Sequence, residues 1–321
     1  MMTATVRAIP NAFTWRILMG FGTATLALGI AKEFSVHPRS LMIGGGLTIL
    51  MLSLAHFYSV YRPRPQFAYP MSLVGYFLAS ALVFGPMSYF LASLNMPLVD
   101  AAMARFDMAL GCDWRALQRF TAERQWLSQV SAFVYHTSGG QIFLSWIVLS
   151  LTGQLPRLSV MMTAMAIATG VCLVLSGLFP AVGAYLYYGI TPAELGFLKG
   201  TGAGVWHMHD FTGLREGSMR AIDLSQLEGI VTFPSFHTVV AILCGWSLLK
   251  TRWIGWPYAA YAGFVVFTTL PFGGHHLADA LCGAAIAVAS IAIGWRVEAV
   301  RPAAEAANGG VLQPGAAATA G

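Results

Sequence analysis

Long apolar runs recur along this chain, and they constrain its fold more than any other feature. Each run is long enough to cross about 30 Å of hydrocarbon as a helix, and only 10% of the 321 residues are charged. The runs predict an all-α fold, a polytopic integral membrane helix bundle of about eight spans. The predicted spans are roughly 15–31, 41–60, 68–93, 128–152, 158–179, 233–250, 254–271 and 275–296.

The predicted organisation is a single membrane domain. Residues 1–14 are expected to form an N-terminal cytoplasmic segment and residues 15–298 the membrane domain, with a catalytic core at about 128–298. The first apolar run also resembles a signal peptide, but an uncleaved anchor is favoured because a polytopic chain needs no separate export signal. The segment 302–321, rich in Ala, Gly and Pro, is expected to be a disordered tail.

Charge in the loops predicts the orientation. The short turns at 61–67, 153–157 and 250–253 are basic and contain no acidic residue, which is typical of the cytoplasmic side. The bare count of Lys and Arg does not decide, since it is even between the two sides. The long segment 181–232 is therefore expected to form a cap on the periplasmic or lumenal face. The other long segment, 94–127, is expected to contain short helices along the interface.

Composition narrows the class further. The net charge of +5 comes without a basic patch interleaved with aromatic residues, so no nucleic-acid partner is expected. The four cysteines stand singly, which indicates neither a zinc site nor a disulfide framework. Most basic residues are arginine, and Ala and Gly are abundant. This composition is typical of a GC-rich bacterial genome and favours a bacterial inner membrane.

Two short segments carry candidate chemistry, each where a loop turns into an apolar run. They are Pro234-Ser235-Phe236-His237-Thr238 and Gly273-Gly274-His275-His276-Leu277-Ala278-Asp279. A helix would stack His275 and Asp279 on one face, so that the carboxylate fixes the imidazole tautomer and leaves the other nitrogen as a nucleophile. His237 can protonate a leaving oxygen. The alternatives are a structural His–Asp pair and, for Ser235, a helix cap.

Together the two segments resemble signatures of the type-2 phosphatidic acid phosphatase superfamily. P-S-F-H-T is similar to the second signature, P-S-x-H-T. G-G-H-H-L-A-D is similar to the end of the third, where a nucleophilic histidine precedes aspartate by four. The resemblance implies that His275 is the nucleophile, Asp279 its partner and His237 the acid, with a phosphohistidine intermediate. It covers residues 180–290 most strongly and implies a six-helix core with two extra N-terminal helices.

The chain departs from that superfamily in its phosphate-binding residues. The first signature, a lysine followed by Arg-Pro, is missing, and Thr269 stands where an arginine is expected six residues before the nucleophile. These absences, with residues 179–183 and 107–114, resemble the inositol phosphorylceramide synthase-like branch. That resemblance implies transfer of a phosphoinositol-type head group to a lipid alcohol. The branch has tyrosine where this chain has His276, so the resemblance assigns His276 no role.

Other groups are then needed to bind the phosphoryl oxygens. Arg215 is the candidate for a bidentate contact, and Lys199 and the Ser235 hydroxyl are further candidates. A loop arginine paired with an acid is the alternative for Arg215. The segment 207–210 (H-M-H-D) could supply zinc ligands, but a solvated polar turn is favoured. No metal and no other cofactor is expected.

The sequence therefore predicts a metal-independent membrane lipid phosphatase or phosphotransferase with a histidine nucleophile. Its expected partner is a phospholipid or lipid phosphate in the bilayer. A competing class is a non-enzymatic transporter or receptor that uses the His–Asp groups as a proton relay. That class predicts ionisable residues in several spans and inverted-repeat symmetry, whereas the polar residues here gather at one membrane face.

Overall fold

The computed structural model describes residues 9–190 and 204–309, and only the backbone of 301–309. Over these ranges nearly all of the regular secondary structure is helical, which confirms the predicted all-α membrane bundle. Residues 1–8, most of the predicted cytoplasmic segment, lie outside the described residues, as does Lys199.

Thirteen helices and two short strands make up the described part of the chain. The helices are α1 (Ala12–Ala31), α2 (Pro38–Val60), α3 (Pro65–Ala92), α4 (Asp100–Ala109), α5 (Trp114–Ala122), α6 (Gln125–His136), α7 (Ser138–Leu151), α8 (Leu155–Leu178), α9 (Ala184–Tyr187), α10 (Met208–Glu216), α11 (Phe236–Leu248), α12 (Gly255–Thr269) and α13 (Leu277–Gly309). The strands are β1 (Ser35–Val36) and β2 (Ala221–Ile222). Helices α1, α2, α3, α8 and the Leu277–Val300 part of α13 are long and apolar enough to cross a membrane.

The fourth predicted span is two helices rather than one. Helices α6 and α7 meet at Thr137, whose hydroxyl donates to the Val134 carbonyl, while the Ser138 hydroxyl donates to the Tyr135 carbonyl, both at 2.6 Å. Such side-chain hydrogen bonds to the preceding turn bend helices. Gly139 and Gly140 follow, and glycine has a low helix propensity. The local chemistry at 137–140 therefore interrupts a run that looked continuous by hydropathy.

Helix α13 continues through residues 302–309, which were expected to begin a disordered tail. The run A-A-E-A-A at 303–307 consists of strong helix formers, so this part of the tail is helical. Residues 310–321 lie outside the described part of the chain.

The two sequence motifs meet because α13 packs closely on the start of α11. A side chain at Gly283 would place its Cβ 2.5 Å from the Ser235 carbonyl oxygen, so only glycine permits this approach. The Ser235 N–H also donates to the Asp279 carbonyl at 3.1 Å. Small side chains of α8, including Ala164 and Ala168, complete the packing behind both helices. The start of α11 and the start of α13 thus lie side by side at one end of the bundle.

The segment that follows residue 204 covers this same end and is fastened to the N-terminal helices. Strand β2 pairs in parallel with β1, which lies between α1 and α2. The Tyr89 hydroxyl of α3 donates to an Asp210 carboxylate oxygen at 2.6 Å and accepts the Glu228 N–H at 2.8 Å. The short helices expected within 94–127 are α4 and α5, and α4 packs against α9 and α13.

Candidate active site

His275 and Asp279 form a buried pair at the start of α13. The His275 Nδ1 lies 3.2 Å from Asp279 Oδ2, and that oxygen also accepts the His276 N–H at 2.9 Å. The His275 side chain is 5% exposed and that of Asp279 is fully buried. A carboxylate at this position places the imidazole proton on Nδ1, which leaves Nε2 of His275 unprotonated and free to attack.

A tight turn before His275 sets the direction of its side chain. Gly274 has φ +70°, and an added Cβ would lie 2.4 Å from the Tyr185 ring, so both conformation and space require glycine there. The Trp114 indole N–H of α5 donates to the His275 carbonyl at 3.0 Å. The turn is therefore held from two sides, and His275 has little freedom to move.

His237, in the first turn of α11, faces His275 across the pocket. The two imidazole ring centres are 6.4 Å apart. Tyr135 of α6 stacks on His237, with ring centres 4.3 Å apart, and its hydroxyl lies 3.2 Å from His237 Nδ1. When the Tyr135 hydroxyl donates, the imidazole proton is on Nε2. That tautomer presents an Nε2–H to the pocket, but a general acid must be the imidazolium, in which Nδ1–H donates to the Tyr135 hydroxyl and Nε2 keeps the proton that is transferred.

A small pocket joins these groups. Its volume is about 50 Å³, and its lining residues are Tyr135, Gly183, Gly204, His207, Gly229, Val231, Thr232, His237, Gly273, Gly274 and His275. One water needs roughly 10–15 Å³ on this measure, so the pocket holds about four water-sized groups. A phosphoryl group with its oxygens is of this size, and the glycines leave backbone groups open to it.

Ser235 is a buried helix cap. Its hydroxyl accepts from the Thr238 N–H at 3.4 Å and from the Thr238 hydroxyl at 3.2 Å. Ser235 is fully buried and is not among the residues that line the pocket. The capping interpretation explains this geometry, and a Ser235 contact with phosphate stays a prediction.

Arg215 lies near the end of α10, outside the lining of the pocket. Its Nη2 donates to the Met96 carbonyl at 3.0 Å, and its guanidinium lies over the Phe211 ring. Burial lowers the pKa of Arg215, and the nearby Asp100 carboxylate opposes this shift. Binding of phosphate by Arg215 stays a prediction, as does binding by Lys199.

His276 lies between two carboxylates of α4. Its Nδ1 is 3.3 Å from Asp107 Oδ2 and its Nε2 is 3.7 Å from Asp100 Oδ1. These are ion-pair contacts rather than aligned hydrogen bonds, since neither nitrogen has a hydrogen-bond partner among the described residues. Burial lowers the pKa of His276, but the two carboxylates outweigh burial and raise the pKa to about 9. His276 is therefore an imidazolium at neutral pH.

The same two carboxylates hold the backbone around the pocket. Asp107 accepts the N–H groups of Leu277 and Ala278, at 2.9 Å each, at the start of α13. Asp100 accepts the N–H groups of Val182 and Gly183, and its contact with Gly183 is 2.9 Å. We call Asp100, Asp107 and His276 the α4 clamp, because it fastens α4 to the backbone at 182–183 and at the start of α13.

The segment 207–210 is not the solvated turn expected from the sequence. His207 is 7% exposed and lines the pocket, whereas His209 is exposed. The Asp210 carboxylate accepts the Tyr89 hydroxyl. Within 9–190 and 204–309, no group of three or more His, Cys, Asp or Glu side chains is placed to hold a metal ion.

Sequence reasoning missed Tyr135, His207 and the carboxylates of the clamp as site residues. Asp100 and Asp107 are seven apart, which places them on one face of a helix, and this spacing could have marked them as a pair. No spacing in the sequence links Tyr135 to the site, since it lies 102 residues from His237.

A family model described as the PAP2 superfamily matches residues 101–293, more than half of the chain. The match includes both motifs and, of the α4 clamp, Asp107 and His276; it begins one residue after Asp100, beyond α1–α3. No curated protein and no solved structure is significantly similar to the chain.

Proposed function

Because the chain belongs to the PAP2 superfamily, that of the type-2 phosphatidic acid phosphatases, we propose that it is a membrane lipid phosphatase or phosphotransferase that uses a phosphohistidine intermediate. The observation that carries the proposal is the placement of His237 and His275 in one pocket, 6.4 Å apart, with Asp279 on Nδ1 of His275. A phosphoryl group between the two rings meets a nucleophile on one side and an acid on the other.

The proposed reaction has two steps. In the first, Nε2 of His275 forms a bond to phosphorus while the bond to the leaving oxygen breaks, and the imidazolium form of His237 gives its Nε2 proton to that oxygen and becomes neutral. Asp279 stabilises the positive charge that develops on His275. In the second, water or an alcohol attacks phosphorus, His237 takes the proton of the attacking hydroxyl, and the bond to His275 breaks. Both histidines return to their starting states.

An apolar cavity that reaches the residue before His237 supports a lipid substrate. Its volume is about 190 Å³, and it lies between α3, α7 and α8. Phe236, which directly precedes His237, forms part of its wall, and Ala166 of α8 forms another. A lipid whose phosphate occupies the histidine pocket could place an acyl chain in this cavity, where burial of each CH₂ gains about 0.8 kcal/mol.

The acceptor in the second step distinguishes a phosphatase from a transferase. The resemblance of residues 107–114 and 179–183 to the inositol phosphorylceramide synthase-like branch favours a lipid alcohol as the acceptor and a phosphoinositol-type head group as the transferred unit. Water as acceptor gives a phosphatase from the same first step. Purified protein incubated with labelled phosphatidate or phosphatidylinositol, with and without ceramide or diacylglycerol, separates these outcomes. Free phosphate indicates the phosphatase and a new phospholipid the transferase, whereas no turnover of any of them contradicts the proposal.

We also propose that no metal takes part, because Asp279, the carboxylate at the reacting pair in the described chain, is fully buried and its Oδ2 is engaged by His275 and the His276 N–H. Turnover should be unchanged in excess chelator. Activity that disappears in chelator and returns with added metal would refute metal independence. The assignment of His275 as the nucleophile would still be tested separately, by substitution of His275.

The pocket is proposed to face the periplasm of a bacterial inner membrane, in keeping with the basic short loops on the other side. Thr212, exposed on α10, and Arg252, exposed between α11 and α12, provide a matched pair for cysteine labelling. In a background with Cys112→Ser, an impermeant thiol reagent should label Thr212→Cys on intact cells and Arg252→Cys only after permeabilisation. The reverse pattern contradicts the orientation.

A further inference from the structure

The histidine pocket contains a third imidazole that the two-step reaction does not use. His207 lines the pocket together with His237 and His275, and it is 7% exposed. Its Nε2 has no hydrogen-bond partner among the described residues. Buried polar atoms almost always have a partner, so this nitrogen is placed to receive one from a ligand.

The charge balance of the pocket points to the same residue. A phosphoryl group brings up to two negative charges, and phosphoryl transfer depends on their neutralisation. Yet there is no Lys, Arg, Asp or Glu among the described residues that line the pocket. Their ionisable side chains are Tyr135, His207, His237 and His275. Tyr135 is engaged by His237, and the other two histidines carry out the reaction, so His207 remains.

We propose that His207 is a phosphoryl-binding residue: its Nε2 takes up a proton when a dianionic phosphoryl group enters the pocket, and the resulting imidazolium pairs with a phosphoryl oxygen. The proposal rests on the proposed function for its biological ligand. The superfamily signatures contain a lysine and an arginine that are missing from this chain. The His207 imidazolium takes the place of that positive charge.

The resting state of His207 fits this role. The pKa of His207 is lowered to about 4, chiefly by burial; the neighbouring His275 adds to this shift and a hydrogen bond to the Val182 carbonyl opposes it. The imidazole is therefore neutral in the empty pocket, with its proton held at the Val182 carbonyl and its Nε2 open. A bound dianion favours the charged form of a neighbouring histidine. Among the described residues that line the pocket, the other titratable groups are His237 from α11, His275 before α13 and Tyr135 from α6.

Sulfate is a suitable probe because it stays a dianion between pH 6 and 8 and has no proton of its own to exchange. Calorimetric titration of the full-length protein in lipid nanodiscs, in two buffers of different ionisation enthalpy, counts the protons taken up on binding. Wild type should take up about one proton per sulfate. His207→Gln should take up about one fewer and bind sulfate roughly 10- to 100-fold more weakly, the usual effect of losing one hydrogen bond to a charged group.

His209→Gln is the matched control, because His209 is an exposed histidine two residues away. It should match wild type in affinity and in proton uptake. A second substitution, His207→Asn, and the thermal midpoint of each variant distinguish a loss of sulfate binding from a folding defect. Proton uptake by wild type tests the proposal without any substitution. Absence of sulfate binding, binding without proton uptake, or equal affinity in His207→Gln and wild type would each overturn the proposal. Since the titration needs no turnover, a failure here is distinct from a failure of the proposed reaction.

Discussion

The α4 clamp makes a specific prediction about stability and pH. His276 has an ordinary pKa of 6.5, which rises to about 9 in the fold: burial opposes the charge, but Asp100 and Asp107 outweigh burial. A pKa raised by folding stabilises the protein fully below about pH 6.5, and this contribution is lost as the pH rises to about 9. At about 1.4 kcal/mol per pH unit, the difference between the two pKa values corresponds to about 3 kcal/mol.

The perturbation is His276→Gln, which removes the cation and leaves Asp100 and Asp107 buried without it. We expect the variant to lose about 3 kcal/mol of stability at pH 6, which is in the range for breaking a buried ion pair. The deficit should shrink towards pH 9, because wild type loses the same charge there. Turnover should fall in parallel, because Asp107 also holds the N–H groups at the start of α13, next to His275.

Thermal unfolding between pH 6 and 9.5, followed in nanodiscs for wild type, His276→Gln and the exposed control His209→Gln, tests this account. Wild type and His209→Gln should lose thermal stability as the pH rises, and His276→Gln should start lower and change little. A His276→Gln curve parallel to wild type over the whole pH range would refute the reasoning, since the pH dependence would then come from another group.

Three further changes test the rest of the site. Tyr135→Phe removes the hydroxyl at His237 and is expected to lower kcat roughly tenfold, about the worth of one hydrogen bond, with steady-state kinetics as the measurement; unchanged kcat contradicts the role. Gly274→Ala is expected to abolish most turnover and lower the thermal midpoint, because φ is +70° and the Tyr185 ring leaves no space; Gly263→Ala, with nothing within 4 Å, is the control. Ala166→Phe should fill the apolar cavity and reduce turnover of long-chain phosphatidate while sparing a short-chain substrate; equal loss on both contradicts an acyl-chain site.

The sequence predicted the fold class because hydropathy is a local property. Each apolar run became a helix or, at Thr137, a pair of helices, and that break arose from side-chain hydrogen bonds that hydropathy does not measure. The His275–Asp279 contact was also predictable, since a spacing of four is one helical turn.

The rest of the site depends on contacts between distant parts of the chain. Asp107 and Leu277 are 170 residues apart, and Tyr135 and His237 are 102 apart. A single sequence contains no signal for such pairs beyond residue type. His207 shows the same limit: its polar neighbours suggested a solvated turn, and only the fold reveals that its ring is buried in the pocket.

The central claim is that His275 carries the phosphoryl group. The most direct test is to quench the purified protein during turnover of phosphatidate labelled on phosphorus, and to locate the covalent label by peptide mapping. The account predicts an acid-labile, base-stable label on His275 that is absent from His275→Ala, a variant that should also be inactive. Turnover by His275→Ala at near the wild-type rate, or a label on another residue of the pocket, would contradict the account.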